Sequence, residues 1–308
     1  MPRPSLTPSR RCDRRGVTVP TSSDRPDGEG PSSAAMAADR PASLAAAAQA
    51  VVAASSPATK VRLAGQAAEA WFGRRLALSC PSLDPAMPDE PGRPDTPELR
   101  PPRDMPRRSF GEKGRIALLH AIAHIELNAI DLAFDLVGRF AGEPMPRSFF
   151  DDWVRVGREE AYHFHLVSTR LQALGSHYGA FPAHAGLWQA AQETGHSLIA
   201  RVAVIPLVFE ARGLDVTPPL IEAAEKAGDT ATADVLRVIY RDEKGHVAVG
   251  ARWFRFLCDR TGVAPEATFQ SYVRRHFRGP LKPPFNDRAR SAAGLTPGFY
   301  RPLSSRGS

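Results

Sequence analysis

Apolar residues recur three and four positions apart in long stretches of this chain, and a few polar residues interrupt them. One stripe reads Leu236, Ile239, Glu243, His246, Gly250, Trp253, Leu257. A second reads Trp153, Val156, Glu160, His163, Val167, with Leu174 further on, and a third Ile116, Leu119, Ala123, Glu126, Ile130, Ala133, Val137. A fourth apolar run, 202–209, ends at Glu210. This spacing marks the inward face of amphipathic helices. It predicts an all-α chain with four main helices at about 111–141, 148–176, 184–213 and 230–261. Ser148 is the expected cap of the second, with Asp151 and Asp152 favouring its dipole. Gly175 and Gly213 are natural stops.

The flanks divide the chain further. Residues 1–40, rich in Pro, Ser, Arg, Asp and Gly without periodicity, read as a disordered arm in which Met36 offers an alternative start. Residues 41–110 hold an alanine-rich helix to about 54, a helix from Pro57 to about 78 pinned by Trp71 and Phe72, and a proline-rich stretch over 81–109. That stretch is either an extended strap or a loose linker. Residues 111–279 form the helical core, with a short helix from Thr217-Pro218-Pro219 to about 227 and a last one at 265–278. Residues 280–308 read as an irregular basic tail.

The chemistry lies in the polar residues on the apolar stripes. A buried carboxylate costs several kcal/mol unless a cation or proton accompanies it. Glu160-x-x-His163 and Glu243-x-x-His246 each follow an inward Glu at nearly the same distance, 34 residues after Glu126 and 33 after Glu210. Two Glu-x-x-His pairs and two further Glu residues are the ligand set of a bundle that holds two metal ions. Four carboxylates balance two divalent ions, and oxygen and imidazole donors suit iron, with manganese possible. The expected ligands are Glu126 and Glu210 as terminal carboxylates, Glu160 and Glu243 as bridges, and one of His163 and His246 on each metal.

Other residues compete for roles. Glu193-x-x-His196 repeats the motif, but it lies roughly 25 Å along a helix axis from Glu210. It is therefore expected as a polar layer elsewhere in the bundle. Pro206 removes a helical hydrogen bond four residues before Glu210 and should kink its helix, either opening a cavity or leaving a tolerated bend. His120, His124, Asp131 and Asp242 are candidates to orient ligand imidazoles. Trp153 and Tyr240 read as core packing, and His165 as a surface residue.

His124-Ile-Glu-Leu-Asn-Ala-Ile-Asp131, Glu159-Glu-Ala-Tyr-His-Phe164, Phe209-Glu-Ala-Arg-Gly-Leu-Asp-Val-Thr-Pro218 and Asp242-Glu-Lys-Gly-His246 together resemble the bacterial ferritin-like family known as domain of unknown function 455. The resemblance runs over about 58–279. It implies a ferritin-like four-helix bundle with a di-iron site and extra terminal helices, and it implies no substrate. Likeness of fold to ferritins, rubrerythrins and hydroxylases carries little weight for function.

Charge and cysteines narrow the classes. The net charge of +7 is divided as +4 over 1–110, −1 over 111–279 and +4 over 280–308, so the core is nearly neutral. This weakens a nucleic-acid reading, while leaving the basic arms able to touch RNA or a membrane surface. Three cysteines, Cys12, Cys80 and Cys258, stand far apart, which excludes a zinc ribbon or disulfide framework and fits a reducing cytoplasm. No run of 18 apolar residues suggests a membrane span. The expected function is an oxygen-activating oxidase or hydroxylase acting on an organic substrate, served by an external reductant. The alternatives are an iron-handling ferroxidase and a bundle with a structural di-metal site.

Overall fold

The computed structural model describes residues 41–80, 84–106, 108 and 111–304. The expected disordered arm, Met36 and Cys12 lie outside these residues. Among the described residues the chain is all helical, and only isolated bridges take the place of strands. Two short helices come first: α1 (Leu44–Ala53), capped by the Ser43 hydroxyl, and α2 (Pro57–Phe72), which opens on Pro57 after Ser56. The long helices are α3 (Glu112–Arg139) and α4 (Arg147–Ala173). α5 (Gly186–Glu193), α6 (Leu198–Val204), a π-helical turn (Ile205–Glu210) and α7 (Ala211–Lys226) follow. α8 (Thr230–Thr261) and α9 (Pro265–His276) complete the core.

α3 packs along α4, α7 packs along α8, and α4 lies against α8, which joins the two pairs. The π turn also rests on α8, while α1 covers α3 and α2 covers α4. Burying apolar stripes on facing helices accounts for this arrangement. The polar residues of those stripes meet at its centre. By length and composition the segment Gly114–Arg139 would suffice to cross a membrane, yet 78% of its most apolar window is buried inside the fold. It is a core helix.

Several expected boundaries move. α4 begins at Arg147 after Pro146, so Ser148 lies inside the helix and caps nothing. Asp151 and Asp152 reach across to other helices instead of serving the dipole: Trp71 Nε1 donates to Asp151 at 2.8 Å, and Trp253 Nε1 to Asp152 at 2.8 Å. α2 stops at Phe72, and of the two expected aromatic anchors Trp71 is buried while Phe72 is exposed. Gly175 does end α4 in the left-handed conformation, with φ +73°. Gly213 does not stop its helix; α7 runs through it and through Pro218 and Pro219. Thr217 therefore starts no separate short helix.

Residues 84–106 lie across the core as a strap rather than a loose linker. Trp188 Nε1 donates to the Asp89 carbonyl at 2.9 Å, the Gly92 amide to Val52 at 2.8 Å, and the Arg100 amide to Ala183 at 2.8 Å. The tail is also more ordered than expected. It forms α10 (Asp287–Ala292) and α11 (Pro297–Tyr300), and it buries Leu281, Leu295, Phe299 and Tyr300. Its prolines stand at turns and helix starts, where a missing N–H costs nothing.

Candidate metal centre

Each side of the polar cluster is supplied by one element of the core. α3 supplies Glu126, α4 Glu160 and His163, the π turn Glu210, and α8 Glu243 and His246. Glu160, His163 and His246 are no more than 1% exposed, Glu126 3% and Glu243 8%. Ligand atoms of Glu126, Glu160, His163 and Glu243 all lie within 4.8 Å of one another, and so do those of Glu210, Glu243 and His246. Glu243 belongs to both groups. Glu160 spans them too, its Oε2 lying 3.2 Å from His163 Nδ1 and its Oε1 2.9 Å from His246 Nδ1. All six expected residues are thus brought together, with two carboxylates between the imidazoles and one at either end. The ring centroids of His163 and His246 are 5.7 Å apart.

The hydrogen bonds fail at the centre. Glu126 Oε2, Glu160 Oε1, Glu210 Oε2, Glu243 Oε2 and His246 Nδ1 are all buried without a hydrogen-bond partner. The 2.9 Å approach of His246 Nδ1 to Glu160 does not rescue either atom, because the angles of a hydrogen bond are not met. Buried polar atoms are normally satisfied, and each orphan costs on the order of 1–3 kcal/mol. Five of them aimed at one spot form a donor set of carboxylate oxygens and imidazole nitrogen, which suits hard to borderline divalent cations.

The outer side of each imidazole is held from the opposite helix. His163 Nε2 on α4 meets Asp242 Oδ2 of α8 at 3.2 Å, and His246 Nε2 on α8 meets Glu159 Oε2 of α4 at 2.9 Å. A carboxylate on Nε2 fixes the ring with Nδ1 turned inward, the usual support of a metal-binding histidine. Asp242, one of the candidates for such support, is thus in contact with one of these imidazoles. Glu159 was not expected there, although the sequence carries a signal: in both motifs an acid stands directly before the ligand Glu. Asp131 plays no such part. It pairs with the buried Lys60, which also donates to the Val51 and Val52 carbonyls at 3.2 and 3.1 Å. His120 accepts from the Gly179 amide at 2.9 Å, and His124 contacts Tyr178 Oη at 2.8 Å. Neither orients a ligand.

Electrostatics follow from this crowding of acids. Burial pushes Glu126 up to about 7 and Glu210 up to about 8, and raises Glu243 well above the usual carboxylate range. Burial also acts on Glu160, but the His246 and His163 imidazoles outweigh it and hold that group low. Against the opposing effect of burial, the Glu126 and Glu160 carboxylates lift His163 to about 11. His246 likewise rises well above normal, burial being overcome chiefly by Glu160. The cluster alone therefore gathers protons, which two divalent ions would replace.

Glu193 and His196 lie far from this chemistry. Both are exposed, Glu193 pairing with Arg278 at 3.1 Å and the His196 ring lying 5.5 Å from His276. They sit at the break between α5 and α6 and not in a polar layer inside the fold. His165 is exposed as expected, and Trp153 is core. Tyr240 is partly buried and accepts from Asn286 Nδ2 at 3.1 Å.

At Pro206 the helix passes into a π turn. The Ala211 amide bonds back to the Pro206 carbonyl, five residues earlier. The extra residue in that turn rotates α7 by about 100° relative to α6. Beside it opens a cavity of about 900 Å³, with Glu126, Glu210 and Glu243 at its inner end. Glu160, His163 and His246 do not line it. Gly213 borders it as well, and a Cβ there would stand 4.0 Å from the Glu243 carboxylate.

Comparison with known proteins agrees with the motifs. An uncharacterized protein of Haemophilus influenzae is 44% identical over 211 residues, covering 66% of this chain and 73% of that one. No solved structure matches the chain. Residues 53–301 match the family described as protein of unknown function DUF455, and the chain belongs to that family.

Proposed function

We propose that this chain is a ferritin-like four-helix bundle holding two iron ions, and that it is an oxygen-activating oxidase or hydroxylase for an organic substrate. One observation carries the proposal: four carboxylate oxygens and an imidazole nitrogen are buried together without hydrogen bonds, and three of those carboxylates, Glu126, Glu210 and Glu243, also line a largely apolar cavity. Glu126 and His163 would hold one ion, Glu210 and His246 the other, with Glu160 and Glu243 between them. Manganese fits the same donors.

When bound, the metal pair supplies the redox chemistry that no side chain here provides. The chain's own residues do the rest. Glu159 and Asp242 keep both imidazoles oriented with Nδ1 inward. Ile122, Phe209 and Ile239 exclude water from the inner end of the cavity. Glu210, partly exposed to the cavity, is the carboxylate best placed to hold or pass a proton there. A cavity of about 900 Å³ falls in the range of small-molecule sites. It favours an organic substrate over storage of iron or a purely structural metal.

The test is anaerobic loading with ferrous iron, followed by oxygen. The expected result is about two irons per chain and oxygen uptake that an organic substrate accelerates. Many irons per chain in a large particle would instead establish storage, and bound iron inert to oxygen a structural role.

A further inference from the structure

The cavity has two unlike ends. Its inner end is acidic, and its walls are apolar, including Ile122, Leu132, Ile205, Phe209, Leu236 and Ile239. Toward solvent the rim carries Ile125 and Val216, both exposed apolar side chains. Among the described residues the charged groups of that rim are mainly basic: Arg108, Arg212 and Arg278, against one carboxylate, Glu193. Arg212 and Arg278 lie on one side of the rim. Arg212 Nη1 donates to the Lys282 and Pro284 carbonyls at 2.8 and 3.2 Å, next to the segment that carries Arg278, and to Asp215 Oδ2 at 3.3 Å. The Arg278 side chain is 93% exposed and pairs only with the exposed Glu193 at 3.1 Å.

Apolar walls recognise an apolar body, and at the inner end four carboxylates balance two divalent ions, leaving no net charge there to draw in an anion. Basic groups at the other end attract it. We infer that the cavity takes an amphipathic organic anion, with its apolar body inside and its carboxylate or phosphate at Arg212 and Arg278. This inference rests on the two-metal reading of the inner end, since it is the apolar part of the ligand that faces Glu126, Glu210 and Glu243. The volume of about 900 Å³ has room for on the order of twenty to thirty non-hydrogen atoms, at the ~30 Å³ that a water molecule occupies. Three arginines on the rim of a nearly neutral core offer few phosphate contacts, so a small molecule fits better than a nucleic acid.

The probes are dodecanoate, dodecyl phosphate, dodecanol and dodecylammonium, each below its micelle-forming concentration. They are titrated calorimetrically into the full chain with and without iron. Dodecanoate or dodecyl phosphate should bind about tenfold more tightly than dodecanol, the worth of one charge-assisted contact, and whichever of the two binds better identifies the head group. Dodecylammonium should bind most weakly. Arg278→Glu, a change at an almost wholly exposed side chain, should erase the preference for anions and leave dodecanol unchanged. Ile122→Trp should fill the cavity and weaken all four. Equal binding of all four probes, binding of none, or binding indifferent to Ile122→Trp in a protein of unchanged circular dichroism would each overturn the inference. Iron content measured on the same samples separates the two claims. Two irons per chain without anion binding sinks this inference alone, whereas anion binding without iron sinks the metal reading and leaves the cavity ligand standing.

Discussion

Glu160 sits between both imidazoles, and its two oxygens face different histidines. Replacing it with Ala removes a carboxylate from both metal positions, so Glu160→Ala should abolish metal binding, as should His246→Ala. His165→Ala, at an exposed position two residues past a ligand, should leave metal content unchanged; equal losses from all three would contradict the assignment. Asp242→Asn and Glu159→Gln keep the size of the groups that hold the rings but remove their charge. Each should weaken metal affinity about 10–100-fold, measured by competition with a chelator. The raised carboxylates also predict a pH dependence. A group whose pKa is raised on folding stabilises the fold below its unfolded value and loses that contribution as pH rises through its folded value. Glu126 near 7 and Glu210 near 8 should therefore make the metal-free protein progressively less stable from about pH 4.5 to pH 8. Metal competes with those same protons, so the difference in Tm between metal-loaded and metal-free protein should widen from pH 6 to pH 8.5. A constant difference would count against these residues as ligands. At this scale the clustering of the six residues was legible, because a carboxylate on an apolar stripe demands a cation or a proton beside it. Glu159 was not, since an acid beside a ligand on a helix looks like ordinary surface until the partner helix is in place.

The π turn is where periodicity and structure part. A stripe counted at 3.6 residues per turn assumes an unbroken helix, but the bond from Ala211 back to Pro206 adds a residue between Ile205 and Glu210. Pro206 announced an interruption without showing that α7 would resume at once and run through Gly213, Pro218 and Pro219. Packing decides that continuation: Leu214, Thr217 and Ala224 bury against the core, and tertiary burial outweighs the propensity of single residues. α8 makes room for the turn at Gly250, where a Cβ would lie 2.6 Å from Pro206 Cβ. Gly250→Val should therefore push the turn away from α8 and move Glu210 with it. The expected outcome is a destabilisation of about 1–3 kcal/mol together with weakened binding of the second metal ion only. Unaltered binding of both ions would show that the turn is not held from α8.

On the scale of the whole molecule, the strap and the tail close the fold over elements that carry the site. The order of the tail is not legible in its sequence, which lacks helical periodicity; it comes from a salt bridge that no local pattern reveals. Arg290, 2% exposed, donates to both oxygens of Asp215 on α7 at 2.8 and 2.6 Å, while its guanidinium lies 4.6 Å from the centre of the Tyr300 ring. Arg290→Ala removes the bidentate partner of a buried carboxylate, leaving it Arg212 at 3.3 Å and the Asn286 amide at 2.9 Å, and should cost about 3 kcal/mol, whereas Arg290→Met with Asp215→Leu should recover most of it, both read by denaturant unfolding. The all-helical architecture and the meeting of α3, α4, the π turn and α8 were legible from inward stripes alone, because those helices are amphipathic and long. The central claim is that the six inward side chains exist to hold two cations. Crystals grown with ferrous iron, with diffraction recorded on either side of the iron absorption edge, test it most directly. The account predicts two anomalous peaks about 3.5–4 Å apart, lying among Glu126, Glu160, His163, Glu210, Glu243 and His246. A well-ordered map with no peak there, and with those carboxylates protonated and hydrogen-bonded to one another, would contradict it.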